Sequence, residues 1–216
     1  MNVNLAPVLD VSRAPGDFDE QSGPSYGSDP GTVSALGADF ITAQQATGVA
    51  ATAKHFPGLG AAASSQDTDQ QPVTLTVSRD DLRNIDEYPY GAAIAAGVKL
   101  VMVSWAVYPA LDPRWPAGFS AAVIGGDLRG RLSFAGVTIT DALGAGALQA
   151  SGTTGQRATL AASAGMDLIL CSGQTVDQGE QARTALQHGL ASGTLHHAAF
   201  MAAVQRVMSL RSSLRS

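Results

Sequence analysis

The sequence predicts an α/β fold of the (β/α)8 barrel type, and three observations predict it. Five short segments (residues 3–9, 50–54, 100–105, 137–140 and 167–171) are nearly continuous in apolar or small residues, the pattern of strands covered on both faces. Segments of helical character separate them, and strand–helix alternation with right-handed crossovers gives a parallel sheet. Two strands end in polar groups: Lys54-His55 closes the small-residue run from Gly48 to Ala53, and Asp141 follows Val137-Thr138-Ile139-Thr140. Parallel strands with polar groups at one end describe the rim of a barrel active site. An enzyme is therefore expected.

In chain order, the first strand ends at Asp10, where a carboxylate either orders the next loop or touches substrate. Ser28-Asp29-Pro30 opens a helix that runs to about Thr47-Gly48. The second strand leads into Lys54-His55-Phe56-Pro57-Gly58. Ser78 with Asp81 resembles a capping box; Tyr88-Pro89 breaks the helical stretch it opens, which resumes and stops at Gly97. The third strand ends at Trp105. Ser120 caps a helix through Leu132, and Thr154 caps one that ends at Gly165. Two helices, 176–191 and 196–214, close the chain with Gly193 between them. The irregular stretches 11–27 and 58–77 both follow strand ends, and loops of that length are usually functional. The polar run from Ser64 to Gln71 is expected to be mobile.

Length and composition set bounds. A chain of 216 residues with 45% apolar and 14% charged residues suits one globular domain spanning 1–216. The net charge of −5 and the lack of a basic cluster argue against nucleic acid. No apolar run is long enough for a membrane-spanning helix, and residues 1–7 carry no leader signature. Localisation is left open. Cys171, the single cysteine, reads as a core thiol. With no phosphate loop, GxGxxG turn or paired His/Cys ligands, neither cofactor nor metal is expected; adjacent His196 and His197 project about 100° apart on a helix.

Asp141 is the candidate nucleophile, since it ends a strand and small residues (Ala142, Gly144, Ala145, Gly146) leave room beside it. The alternative is a carboxylate capping the following helix. Lys54 and His55 offer rigid donors to ligand hydroxyls, while Lys54 alone suits a Schiff base. Asp67 and Asp69, on the loop after Lys54-His55, are either solvated carboxylates or a proton donor for a leaving group. Trp105 and Tyr108 offer flat faces for stacking on a sugar, and Trp115 packs on the surface with Pro113 and Pro116.

Five ordered motifs carry a resemblance. Asn2-Val3-Asn4-Leu5-Ala6-Pro7-Val8-Leu9-Asp10-Val11, Tyr26-Gly27-Ser28-Asp29-Pro30, Lys54-His55-Phe56-Pro57-Gly58, Val101-Met102-Val103-Ser104 with Tyr108-Pro109-Ala110-Leu111-Asp112, and Thr140-Asp141-Ala142-Leu143 occur in that order. Together they resemble the amino-terminal barrel domain of family 3 glycoside hydrolases, closest to the β-N-acetylglucosaminidase branch, over almost the whole chain. The resemblance implies a carbohydrate substrate, Asp141 as nucleophile, and Lys54 and His55 as the pair that binds sugar hydroxyls. It makes Asp67 the expected acid, with Asp10, Asp69 and Trp105 as further substrate contacts. Departures accompany it. Family members carry three further strands before this region, including an Asp-Gln-Glu-Gly-Gly segment, so a partial TIM (β/α)8-type barrel with five parallel strands is expected. A complete barrel takes roughly 250 residues. The family's Gly-Arg-Ser-Phe-Gly reads Gly23-Pro24-Ser25-Tyr26-Gly27, without the Arg. The loop lacks the Asp-Ser-His dyad, whose His falls on Asp67 when counted without gaps from Lys54. An inactive sugar-binding remnant is the alternative. Uncovered strand edges would favour self-association.

Overall fold

The computed structural model of the protein describes residues 2–18 and 25–214. Gly23 and Pro24 of the altered motif lie outside the described residues. Four parallel strands form the central sheet in the order β1 (Val3–Asn4), β2 (Ala50–Phe56), β3 (Leu100–Val103) and β6 (Val137–Thr140). Val3 lies opposite Ala50, Thr52 opposite Leu100, and Leu100 opposite Val137, so all four carboxyl ends open on one side. Among the described residues the sheet does not close into a barrel.

Two expected strands differ from regular ladders. Past Asn4 the chain still follows β2: the Thr52 N–H donates to the Ala6 carbonyl at 2.8 Å, and the Leu9 N–H to the Lys54 carbonyl at 2.6 Å. Pro7 has no N–H to give, which interrupts regular pairing. The expected fifth strand, 167–171, is corrected to an irregular segment that meets β6 at one parallel bridge, Ile139 to Leu168. Backbone bonds persist around it, with the Leu168 N–H donating to the Thr138 carbonyl at 3.0 Å and the Thr140 N–H to the Leu168 carbonyl at 3.1 Å, and side chains add to them. The Thr138 N–H donates to Asp167 Oδ2 at 2.8 Å, and the Leu170 N–H to Thr140 Oγ1 at 2.9 Å. A small antiparallel hairpin, β4 (Val107–Tyr108) with β5 (Asp112–Pro116), was not anticipated. Its proline-rich strand is of the edge type.

The helices follow their caps. Asp29 accepts the Thr32 N–H at the start of α1 (Pro30–Ala46). Ser78 accepts the Asp81 N–H, and that first turn widens into a π-helical stretch, Leu82–Asp86, before α2 (Tyr88–Ala95). The segment capped by Ser120 is also wound as a π-helix over Ala122–Arg131, with the Leu132 N–H reaching five residues back to Asp127. Thr153, one residue before the expected Thr154, caps α3 (Thr154–Ala164) and exchanges hydrogen bonds with Gln156. The last helices are α4 (Val176–Ala191) and α5 (His197–Ser213). No described helix is long and apolar enough to cross a membrane.

Strand alternation divides the core in two. Ala51, Ala53, Val101 and Val103 face Ile41 and Tyr90 of the helical layer. Ala50, Leu100, Met102, Val137 and Ile139 face the other way, against Leu210 of α5. A buried clasp holds α5 there: Asp167 accepts hydrogen bonds from Arg206 of α5 at 2.7 Å and from Arg129 at 2.6 Å.

Candidate functional site

Parallel register brings the strand-end residues to one rim. Asp10 follows β1, Lys54 and His55 lie near the end of β2, Ser104 and Trp105 follow β3, and Asp141 follows β6. Asp10 and His55 are in direct contact, with His55 Nδ1 2.7 Å from Asp10 Oδ2. His55 feels the charges of Asp10, Asp141 and Lys54, and Asp69 feels those of Asp141, Asp67, His55 and Lys54. Burial disfavours the imidazolium of His55, but Asp10 and Asp141 outweigh burial and Lys54 and hold its pKa above the ordinary value. A doubly protonated ring donates from both nitrogens.

Asp10 settles its two expected roles in favour of ordering the loop. It is fully buried, and its carboxylate also accepts the Leu59 N–H at 2.7 Å and the His55 N–H at 3.2 Å. The expected substrate contact falls on a side chain that is wholly buried in this structure. Trp105, the other expected contact, is buried as well. It is 1% exposed, its ring lies against Phe119 and Gly118, and its Nε1–H donates to the Ala142 carbonyl at 2.9 Å. Tyr108 is buried too, with its hydroxyl donating to the Gly58 carbonyl at 2.8 Å. Both rings are packed inward here and brace the loops that bear the rim.

Asp141 is half-buried; one carboxylate oxygen accepts the Ala142 N–H at 2.7 Å, and among the described residues the other accepts no hydrogen bond. No regular helix starts behind it, so the helix-cap alternative does not describe it. Arg157 of α3, which the sequence did not single out, donates to the Leu143 carbonyl at 3.1 Å. With Trp105 on Ala142, it fixes the two peptides after Asp141.

The 57–77 loop is anchored rather than free. The Gly146 N–H donates to the Asp69 carbonyl at 2.8 Å and the Ala147 N–H to the Thr68 carbonyl at 3.0 Å. A side chain at Gly146 would set its Cβ 2.1 Å from the Gln70 carbonyl oxygen, and one at Gly60 would set it 1.8 Å from the Val11 carbonyl oxygen. Both contacts need glycine. The loop's two carboxylates differ in commitment. Asp67 Oδ1 accepts the Asp69 N–H and Oδ2 accepts Gln70 Nε2–H, each at 2.8 Å. Asp69 is exposed, and partial desolvation with the neighbouring Asp141 and Asp67 charges raises its pKa. The expectation of Asp67 as acid therefore meets a carboxylate already used to shape the loop.

Among the described residues no group of three or more His, Cys, Asp or Glu side chains is arranged for a metal ion. A groove of about 1460 Å³ runs along α3 and α4, lined by residues such as Trp115, Gln156 and Gln181, and holds none of the rim residues.

Comparison with known proteins follows the same boundaries. The family model for the glycosyl hydrolase family 3 N-terminal domain matches residues 1–210. The chain is 45% identical, over 99% of its length and 61% of the relative's, to an uncharacterized secreted glycosyl hydrolase of Arthroderma benhamiae. It is 35% identical to a beta-hexosaminidase of Stenotrophomonas maltophilia, over 88% of this chain and 57% of that one. It thus spans about three fifths of the curated relatives it matches. Among solved structures, a family 3 beta-N-acetylglucosaminidase from a Paenibacillus species superposes with a TM-score of 0.93 at 35% identity, covering 99% of this chain and 40% of that one. A beta-N-acetylhexosaminidase from Beutenbergia cavernae gives 0.89 at 32% identity, covering 98% and 63%.

Proposed function

This chain belongs to glycosyl hydrolase family 3, and from that premise we propose that its rim serves retaining hydrolysis of a terminal β-linked sugar, N-acetylglucosamine. The observation that carries the reading is the grouping of two carboxylates, Asp141 and Asp69, with the basic side chains Lys54 and His55 at one end of a parallel sheet. Retaining hydrolysis asks for one ionised carboxylate to attack and one protonated carboxyl to donate. Asp141, at the end of β6 with its charge felt by His55, suits attack on the anomeric carbon. Asp69, with its pKa raised, suits protonation of the leaving oxygen and later activation of water. Lys54 and His55 donate to ring hydroxyls. The hexosaminidase names of its relatives support the choice of sugar.

The test is a covalent one. Incubating the purified chain with a slow fluorinated N-acetylglucosaminyl substrate should add one glycosyl mass to the peptide that bears Asp141. No label there, with glycan binding intact, would convert the reading to a sugar-binding remnant. Label on Lys54 after borohydride would convert it to a Schiff-base enzyme.

A further inference from the structure

We infer that Asp10 is the positioning residue of this rim, one buried carboxylate that sets both the His55 ring and the start of the loop carrying Asp69. The inference rests on the proposed role of His55 in holding a sugar hydroxyl, but its geometry stands apart from that role. Asp10 is fully buried and makes three contacts, to His55 Nδ1, the His55 N–H and the Leu59 N–H. The first decides which ring nitrogen is left for a ligand. A carboxylate against Nδ1 keeps a proton there, so Nε2 is the nitrogen free to face the rim. The other two contacts join the strand end to the loop at Leu59, ten residues ahead of Asp69.

The charged groups around His55 come from three of the four strand ends and the loop: Asp10 after β1, Lys54 on its own strand, Asp141 after β6 and Asp69 on the loop, while β3 ends in the uncharged Ser104 and Trp105. Of these only Asp10 hydrogen-bonds the ring among the described residues. The others act through space, so their loss would move the charge of His55 without turning it. Asp10 does both. Its own surroundings hold it in place: Gly60 lies directly against the Val11 carbonyl, leaving the loops after β1 and β2 no room to separate.

The experiment reads the ring directly. Long-range nitrogen–proton NMR of the 216-residue chain follows the tautomer and titration of His55, assigned with His55→Gln. In the unaltered chain the ring should hold its proton on Nδ1 and titrate above an ordinary histidine. In Asp10→Asn the midpoint should fall by about one unit or more, tenfold in the equilibrium, and the tautomer preference should vanish. Binding of N-acetylglucosamine, followed on the same spectra, should weaken about tenfold in the variant. A wild-type ring protonated on Nε2 with an ordinary midpoint would overturn the inference, and needs no variant to fold. So would an Asp10→Asn chain with unchanged titration and sugar affinity. If the unaltered chain neither binds nor cleaves the sugar, the functional reading fails while the titration still judges Asp10.

Discussion

Asp141 and Asp69 are the same side chain in two environments, and the difference supports their division of labour. Asp141→Asn should cut turnover of an aryl β-N-acetylglucosaminide by about a thousandfold or more, since a covalent nucleophile is lost. Thermal stability should barely move. Activity within tenfold of the unaltered chain would refute the assignment. Asp69→Ala should lose alkyl glycosides while keeping nitrophenyl glycosides, which need no proton to leave. Because the Asp69 pKa is raised, kcat/KM for an alkyl substrate should fall as pH climbs past it, and Asp69→Ala should erase that limb. If Asp67→Ala alone shows this behaviour, the roles are reversed. A third carboxylate governs stability. Burial raises Asp86 to about 6 against the pull of Arg13, and its Oδ1 has no hydrogen-bond partner. Between the ordinary carboxylate value and that point the folded chain binds more protons than the unfolded one, so stability falls as pH rises through the window. The contribution is roughly 3 kcal/mol. Asp86→Asn should flatten it in urea unfolding compared at about pH 4 and 6. Asp141, Lys54 and His55 were legible in the sequence because a short apolar strand announces where its polar end points. The burial of Asp10 was not, because it depends on a loop 49 residues away donating through Leu59.

At the scale of elements, the peptide after Asp141 is set by Trp105, and the pair can be separated from general packing. Trp105→Phe keeps an aromatic ring against Phe119 but removes the donor to Ala142. It should cost about 1–3 kcal/mol of stability. It should lower kcat about tenfold to hundredfold with little change in KM, as small misplacements of a reacting group do. An unaltered kcat would show that Arg157 alone holds the loop. Sequence reasoning put this indole on a ligand because it ends a strand. What decides its burial is Gly118, where even a Cβ would fall 2.4 Å from the ring, so the following turn lies flush on it. Helix starts at Asp29 and Ser78 and the run of α4 were readable from caps and breakers. The π-helical winding was not, because apolar periodicity does not distinguish a wide turn from a regular one over ten residues. The fifth strand failed for another reason. Its backbone does pair with β6 at Leu168, but the next N–H inward, of Leu170, goes to the Thr140 hydroxyl instead of a carbonyl, so the ladder stops at one bridge.

For the whole molecule, two surfaces lack partners among the described residues. β1 pairs only with β2, and α5 exposes Met201, Val204 and Met208 at 47%, 37% and 50%. Open strand edges and apolar stripes of this kind favour association. Light scattering of the chain should show mass rising with concentration, and Met201→Glu with Met208→Lys should suppress it. A monomer of constant mass across the series would contradict this. The Asp167 clasp bears on the order in which the chain can finish folding. Arg206 lies 39 residues beyond Asp167, which at ordinary rates of synthesis is a delay of roughly 2–8 seconds. Until α5 is made, Leu100, Met102, Val137 and Ile139 have no Leu210 to cover them. The nascent chain should therefore pass through a sticky interval that ends only when α5 locks on. A chain stopped at Thr194 should bind a hydrophobic dye and engage chaperones, and Arg206→Ala should prolong the same interval in the 216-residue chain.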